Sequence, residues 1–257
     1  TIDRYSPFIP TSNSMVFCAK VSYSQDLFAL KTTSSRQRII TEFENATKIQ
    51  ESPYLVKYYD LFDADSSVFL QMELCNLGDI SHKKMDEVFI WKLIHDVGSA
   101  LDVIHNSGFM HMDVSPSNIL MTDDNVFKLG DFGSLCEIGQ FDTGMEGAGP
   151  YVSPEALLYP RNFDDELIFV SEKTDIFSFG LVLLEAATGI YAPRGGCSNY
   201  TRIRNDSLKL GEGIYQIKDN EISQTLIDLI NKMIRPSAAS IASHPCTIQI
   251  SKENGLF

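Results

Sequence analysis

Asp113, Asn118 and Asp131 are the side chains whose types and spacing could do chemistry here, set in the stretch HMDVSPSNILMTDDNVFKLGDFG from His111 to Gly133. Asp113 and Asn118 lie five apart in a segment broken by Pro116, which reads as a loop, and Ile119 to Met121 then reads as a short buried strand. A turn rich in Asp and Asn, Thr122 to Asn125, leads into a second apolar strand, Val126 to Leu129. That strand delivers Asp131 just before Gly133, so the hairpin brings Asn118 and Asp131 together. Two hard oxygen donors beside a third carboxylate suit Mg2+, which keeps several waters and takes one or two protein carboxylates plus substrate phosphates. Asp113 is then left to face a nucleophile, and the expected chemistry is phosphoryl transfer.

The elements that must position these groups follow from hydrophobic periodicity. Alternation over Met15 to Val21 and Leu27 to Lys31 predicts strands. A polar start then leads into a helix with Ile39, Ile40, Phe43, Ala46 and Ile49 on its apolar side, which carries Glu42. Leu55 to Phe62 and Val68 to Met72 read as further strands, closing a small sheet-rich lobe near residue 74. Beyond it helices dominate. Phe89 to Asn106 is amphipathic, ending at Ser107 and Gly108 just before the Asp113 loop. The apolar run Ile176 to Ala192 is interrupted by Ser178 and Glu185 and is too short for a membrane span, so it reads as a buried helix.

A chain of 257 residues is long enough for a substantial core. Its formal net charge of −13 argues against a nucleic-acid or anionic-membrane surface and would tolerate a basic partner segment. Cys18, Cys75, Cys136, Cys197 and Cys246 are isolated, odd in number and without CxxC spacing, which indicates neither a disulfide framework nor a zinc site. A reducing intracellular compartment, nuclear or cytoplasmic, is expected, with no secretory leader; since the chain opens with Thr rather than Met, residues upstream are expected too.

The His111–Gly133 stretch resembles the catalytic and metal-binding loops of eukaryotic protein kinases. The resemblance extends over nearly the whole chain: FALK ending in Lys31, a hinge-like MELCNLGD from Met72 to Asp79, YVSPE from Tyr151 to Glu155, DIFSFG from Asp175 to Gly180 and RPSA from Arg235, all in register. It implies an α+β fold of two lobes, a small antiparallel-sheet ATP-binding lobe over residues 1–74 with one main helix and a larger, mainly helical lobe over 75–257. It further implies ATP and Mg2+ as cofactors and a protein substrate, in a monomer. By the same resemblance Asp113 is the catalytic carboxylate, Asn118 and Asp131 hold the metal, and Lys31 bridges the ATP phosphates and pairs with a helix carboxylate, Glu42 in preference to Glu44. Glu73 and Cys75 fall in the hinge that meets the nucleotide. Asp79 meets the ribose hydroxyls or simply caps the helix that follows. His111 packs against Phe132 rather than acting as a base. Glu155 and Arg235 form a buried ion pair that locks the activation segment, and Asp175 holds the backbone of the catalytic loop.

Departures from the family pattern carry consequences of their own. Where kinases place GxGxxG over the phosphates, this chain has Thr11-Ser12-Asn13-Ser14-Met15-Val16, without glycine, so weakened ATP affinity is expected. Ser115 replaces the Lys usual two residues after the catalytic Asp, which removes a cation from the transferring phosphoryl group. Met112 replaces the Arg that reads a phosphorylated activation loop, so with Ser134 and Thr143 as the hydroxyls before YVSPE, constitutive geometry or control through partners is expected.

Within the kinases, the HMDVxPSNI loop, the EG before Tyr151, the LCNLG hinge and above all PRGGCSNYTRIR from Pro193 to Arg204 resemble the Wee/Myt mitosis-inhibitory kinases; Pro193, Gly195, Gly196, Tyr200, Ile203 and Arg204 reproduce that group's pattern, while Ala148 departs from its EGD. That resemblance implies transfer of the ATP γ-phosphate to an inhibitory tyrosine, or threonine, of a cyclin-dependent kinase, which delays mitotic entry. The alternatives are a pseudokinase scaffold, with the glycine-free loop and missing Lys as its signs, and a serine/threonine kinase of another family.

Overall fold

A computed structural model describes residues 2–7, 14–21, 26–64, 67–141, 149–158, 170–218 and 221–235. Five strands form one antiparallel sheet in the order β1-β2-β3-β5-β4: β1 Ile2–Pro7, β2 Ser14–Val21, β3 Leu27–Thr33, β4 Tyr58–Ala64 and β5 Ser67–Glu73. The alternation read from the sequence is the pleat itself. In β5 Val68, Leu70 and Met72 turn inward while their neighbours stay half-exposed. Helix α1, Arg36–Ala46, lies against this sheet through Ile39, Val68 and Leu70. It stops short of Ile49: Thr47 donates its hydroxyl to the carbonyl of Glu44, and Ile49 packs on the core from the loop beyond.

Leu55 to Lys57 do not extend β4. Val56 N donates to Leu129 O at 2.9 Å and Leu129 N donates to Tyr54 O at 2.9 Å, so Tyr54 to Val56 pair with the hairpin that carries Asp131, while Lys57 O accepts from Glu73 N of β5 at 2.8 Å. That hairpin is β7 Ile119–Met121 with β8 Phe127–Leu129. Backbone groups are obligatory donors and acceptors, and here they fasten the sheet to the Asp131 loop rather than lengthen a strand.

The remaining elements are mainly helical: α2 Glu87–Asn106, the short pair β6 Phe109–Met110 and β9 Cys136–Glu137, α3 Pro154–Leu158, α4 Lys173–Thr188, α5 Ser198–Arg204 and α6 Gln224–Met233. Asp86 caps α2, accepting from Phe89 N at 2.9 Å. Helix α4 begins earlier than the apolar run and ends at Gly189, whose φ of 71° is open to glycine without strain, so Ile190 to Ala192 lie beyond it. It is buried on every side. No helix among the described residues is long and apolar enough to cross a membrane, and the described cysteines Cys18, Cys75, Cys136 and Cys197 are free thiols.

Gly180 explains how closely α4 and α6 approach. A Cβ there would lie 2.8 Å from Met233 Cβ, 2.8 Å from Ile234 Cγ2 and 3.1 Å from the Ile234 main-chain nitrogen. Alanine in mid-helix ordinarily gains about 1 kcal/mol over glycine. Here overpacking against backbone outweighs that gain, and Gly180→Ala is expected to destabilise by about 1–3 kcal/mol. Chemical denaturation checks it; a variant more stable than the parent would show that α6 can yield.

Candidate active site

The Asp113 loop is hung from α4 by one buried carboxylate. Asp175 accepts from His111 N at 2.7 Å, Met112 N at 2.8 Å and His105 Nε2 at 2.8 Å, with no solvent exposure. Burial opposes its ionisation, but the bonds from His105 and the loop amides win and hold its carboxyl below the usual range. His111 is fully buried, its ring 5.9 Å from that of Phe132. Asp113 N donates to His111 Nδ1 at 3.3 Å, so Nε2 carries the proton and donates to Gly130 O at 3.0 Å. Desolvation keeps this imidazole neutral. His111 is therefore a packed tie between the two loops and faces no substrate proton. Met112 adopts a positive φ of 66° and packs with Met110, Cys136 and Val170 where the family pattern has a cation.

Asn118 ends a single helical turn, Pro116–Asn118. Its amide nitrogen donates to Asp113 O at 2.8 Å and to Asp113 Oδ2 at 2.9 Å, which leaves its carbonyl oxygen as the atom able to take another ligand. Gly130 N donates to Asn118 O at 2.9 Å, fixing the two loops side by side. Asp131 sits in the left-handed region, φ 63°, and its Oδ2 accepts from Lys31 Nζ at 2.7 Å. Lys31 also pairs with Glu42 at 2.8 Å. Burial disfavours its charge, yet the two carboxylates prevail and the ammonium is held above its ordinary range. For Asp131 the same pairing overcomes desolvation and lowers the carboxyl. The structure thus brings Lys31, Glu42, Asp113, Asn118 and Asp131 together, and leaves Glu44 exposed on the far side of α1.

Asp113 behaves differently. Its partial burial, followed by the nearby negative charge of Asp131, pushes its carboxyl up to about 7, against the opposing hydrogen bond from Asn118. Two carboxylates crowded this way, with an amide oxygen beside them, fit a divalent cation. On β3, which also carries Lys31, Ala29 joins Val56, Met72 and Cys75 in an apolar cluster that meets Val16 from β2 and Leu120 from β7.

The hinge residues are placed less directly. The Glu73 carboxylate is taken by Lys128 Nζ at 2.8 Å and by Lys57 N at 3.2 Å. Cys75 is buried in the apolar cluster, its thiol pushed up to about 12 by burial and by the Glu73 charge. Asp79 caps no helix. Its Oδ1 accepts from Ser81 N at 2.8 Å in a local turn, and the next helix starts at Glu87.

Several contributors lack a local sequence signal. Tyr58 donates its hydroxyl to Glu42 Oε1 at 2.5 Å and sets its ring 5.1 Å from Phe132, fixing the carboxylate that fixes Lys31. Asn45, one turn beyond Glu42, donates from Nδ2 to Phe132 O at 2.9 Å. The expected Glu155–Arg235 pair is corrected: Arg235 faces Asp206 at 3.6 Å, while Glu155 accepts from Thr174 Oγ1 at 3.3 Å and its buried Oε2 has no hydrogen-bond partner among the described residues. Desolvation raises the Glu155 carboxyl accordingly. Thr11 to Asn13 of the glycine-free loop, Thr143, Ala148 and the residues after Arg235 lie outside the described residues.

The family model for the protein kinase domain matches residues 11–246. Among curated proteins the chain is 32% identical over 216 residues to a "probable protein kinase" of Dictyostelium discoideum, covering 79% of this chain and 57% of that protein. It is 29% identical over 246 residues to the mitosis inhibitor protein kinase mik1 of Schizosaccharomyces pombe, covering 86% and 41% respectively. It is also 29% identical over 251 residues to the membrane-associated tyrosine- and threonine-specific cdc2-inhibitory kinase wee-1.3 of Caenorhabditis elegans, covering 90% and 34%. The chain spans between a third and three fifths of these relatives.

Proposed function

This chain belongs to the protein kinase family, within its Wee group, and on that premise we propose that it transfers the γ-phosphate of ATP to an inhibitory tyrosine or threonine of a cyclin-dependent kinase and so delays mitotic entry. The observation that carries the reading is the convergence of Asp113, Asn118 and Asp131 on the Lys31–Glu42 pair. Asp113 orients the incoming hydroxyl and accepts its proton. Lys31, held rigid by Glu42, binds the phosphates and keeps them in line with that hydroxyl. Asn118 and Asp131 would hold Mg2+, which when bound neutralises charge on the phosphates. Val16, Ala29 and Leu120 flank the base, with Glu73 and Cys75 contributing main chain and burial rather than side-chain bonds. Asp79, half-exposed and outside any helix, is free of a capping duty and is assigned to the ribose.

The second reading, a nucleotide-binding scaffold, draws on Ser115, whose hydroxyl meets Ser117 Oγ at 3.0 Å where a cation would assist transfer. One experiment separates the two: thermal-shift titration with Mg-ATP beside a γ-phosphate transfer assay on a cyclin-dependent kinase, with the phosphosite mapped. The expected result is a saturable rise in Tm and phosphate on tyrosine or threonine. Binding without transfer returns the scaffold, and transfer confined to serine in unrelated proteins returns another kinase family.

A further inference from the structure

The motif that runs from Pro193 to Arg204 contributes nothing to the nucleotide site, and Arg204 is where its function lies. From the last turn of α5 the side chain reaches under the segment 149–153. Its Nε donates to Val152 O at 3.0 Å, and its Nη2 donates to Val152 O at 2.6 Å and to Pro150 O at 2.8 Å. Nη1 donates to Tyr200 O at 3.3 Å, and the guanidinium lies over the Tyr200 ring, 3.4 Å from its centre, with Phe177 at 5.5 Å. The residue is 9% exposed, and among the described residues no carboxylate comes within ion-pair distance of it. Burying a cation away from any anion is expensive. Two main-chain carbonyls either side of Tyr151 offset that cost here, a grip that the planar fork of arginine makes and a single ammonium does not.

Among the described residues other ties to this segment are few: Met112 stands where a cation would read a phosphorylated loop, no described arginine pairs with Glu155, and Arg235 points to Asp206. The segment is instead tied to α4, through the Tyr151 hydroxyl donating to Glu185 Oε2 at 2.8 Å and Ser178 Oγ donating to Tyr151 O at 2.9 Å, and to α5 through Arg204. It also lies next to the catalytic loop: Val152, gripped by Arg204, shares with Met112 the walls of a cavity of about 110 Å3. Resting on the kinase reading above, we propose that Arg204 is a positioning residue for the protein substrate, holding 149–153 beside Asp113 in its working geometry without phosphorylation. Nucleotide handling does not pass through it.

The test compares Arg204→Gln and Arg204→Lys with the parent chain, by steady-state kinetics varying protein substrate and ATP separately, and by hydrogen exchange at Tyr151, Val152 and Ser153 without substrate. Both variants are expected to raise KM for the protein substrate by about tenfold or more with KM for ATP within about twofold, since the interaction lost is one that positions only the peptide side. Exchange at the three amides is expected to rise by about fivefold or more, local opening being the consequence of two lost carbonyl bonds. If the lysine variant matches the parent in substrate KM, or if KM for ATP rises in step with it, the positioning role is overturned. Should the parent chain transfer no phosphate, the kinase reading fails on its own, and unchanged exchange in the lysine variant overturns the grip independently of activity. Arg204→Lys keeps the charge and the stem packed on Tyr200, so it serves where the glutamine variant does not fold.

Discussion

Asp131→Ala is expected to abolish phosphoryl transfer while leaving the protein folded. The carboxylate is a member of the Lys31–Glu42–Asp131 cluster, but it is the member on the cleft side, its side chain 37% exposed against 5% for Glu42. Removing it leaves Lys31 paired with Glu42 at 2.8 Å, so no buried cation is orphaned. The bond it accepts from Gly133 N is long, 3.4 Å, and its loss costs little. The backbone cost comes from φ of 63°, where alanine is strained by about 1–2 kcal/mol. Asparagine tolerates that region better, so Asp131→Asn separates strain from charge. Losing a preorganised charge at a transferring phosphoryl group costs about a thousandfold or more in rate. Initial rates of transfer beside thermal melts of both variants decide the matter. Either variant phosphorylating a cyclin-dependent kinase at the parent rate would remove Asp131 from the mechanism.

The legibility of this site in the sequence divides along physical lines. Asp113, Asn118 and Asp131 stood out because hydrophilic groups with hard oxygens sat between short apolar strands, where packing has no use for them; the fold then joined them through main-chain bonds such as Gly130 N to Asn118 O. The preference for Glu42 over Glu44 comes from the resemblance, by position relative to Tyr54-Leu55-Val56, and the structure agrees, since Glu42 lies on the buried face of α1 and Glu44 is exposed. In the sequence Tyr58 is a strand residue and nothing more. Nothing local distinguishes a tyrosine that fills a pleat from one whose hydroxyl reaches a carboxylate 16 residues away. The Glu155–Arg235 expectation failed for the complementary reason. A charge pair inferred from a resemblance presumes both backbones, and here Asp206 stands closer to Arg235 while Arg204 holds the segment from another helix. β1 has no sequence signal, because Ile2 to Pro7 lacks apolar alternation and the strand pairs at the edge of the sheet, with β2. Leu55 and Val56 show the limit of periodicity from the other side: the pattern continues from β4, but which partner the backbone pairs with is a tertiary choice, here the hairpin at Leu129.

Asp113→Asn is expected to lose transfer by about a hundredfold to ten-thousandfold, the contribution of a positioned proton acceptor, and at the same time to make the metal-free protein more stable at neutral and alkaline pH. The two effects share a cause. Burial and the charge on Asp131 hold the Asp113 carboxyl at about 7 in the folded chain, whereas an unfolded aspartate releases its proton near 4. The native state therefore binds more protons than the unfolded state between those values, so stability falls as pH rises from about 4 to about 7 and levels off above. The full difference corresponds to about 4 kcal/mol, and since the side chain is not completely buried a gain of about 1–3 kcal/mol for the asparagine variant above pH 7 is the reasonable expectation. Asparagine keeps an acceptor for the Asn118 amide, which removes the charge without leaving that donor unpaired. Paired melts at pH 4.5, 6 and 8 without nucleotide or metal test the sign: the advantage of the variant should be near zero at the lowest pH and grow by several degrees in Tm toward the highest. An advantage independent of pH would assign the effect to packing, and a variant less stable than its parent at pH 8 would mean that the Asp113 charge is welcome in the empty site. The stored repulsion between Asp113 and Asp131 is what a divalent cation would relieve, so a stability deficit confined to the metal-free form is the thermodynamic counterpart of the site's chemistry.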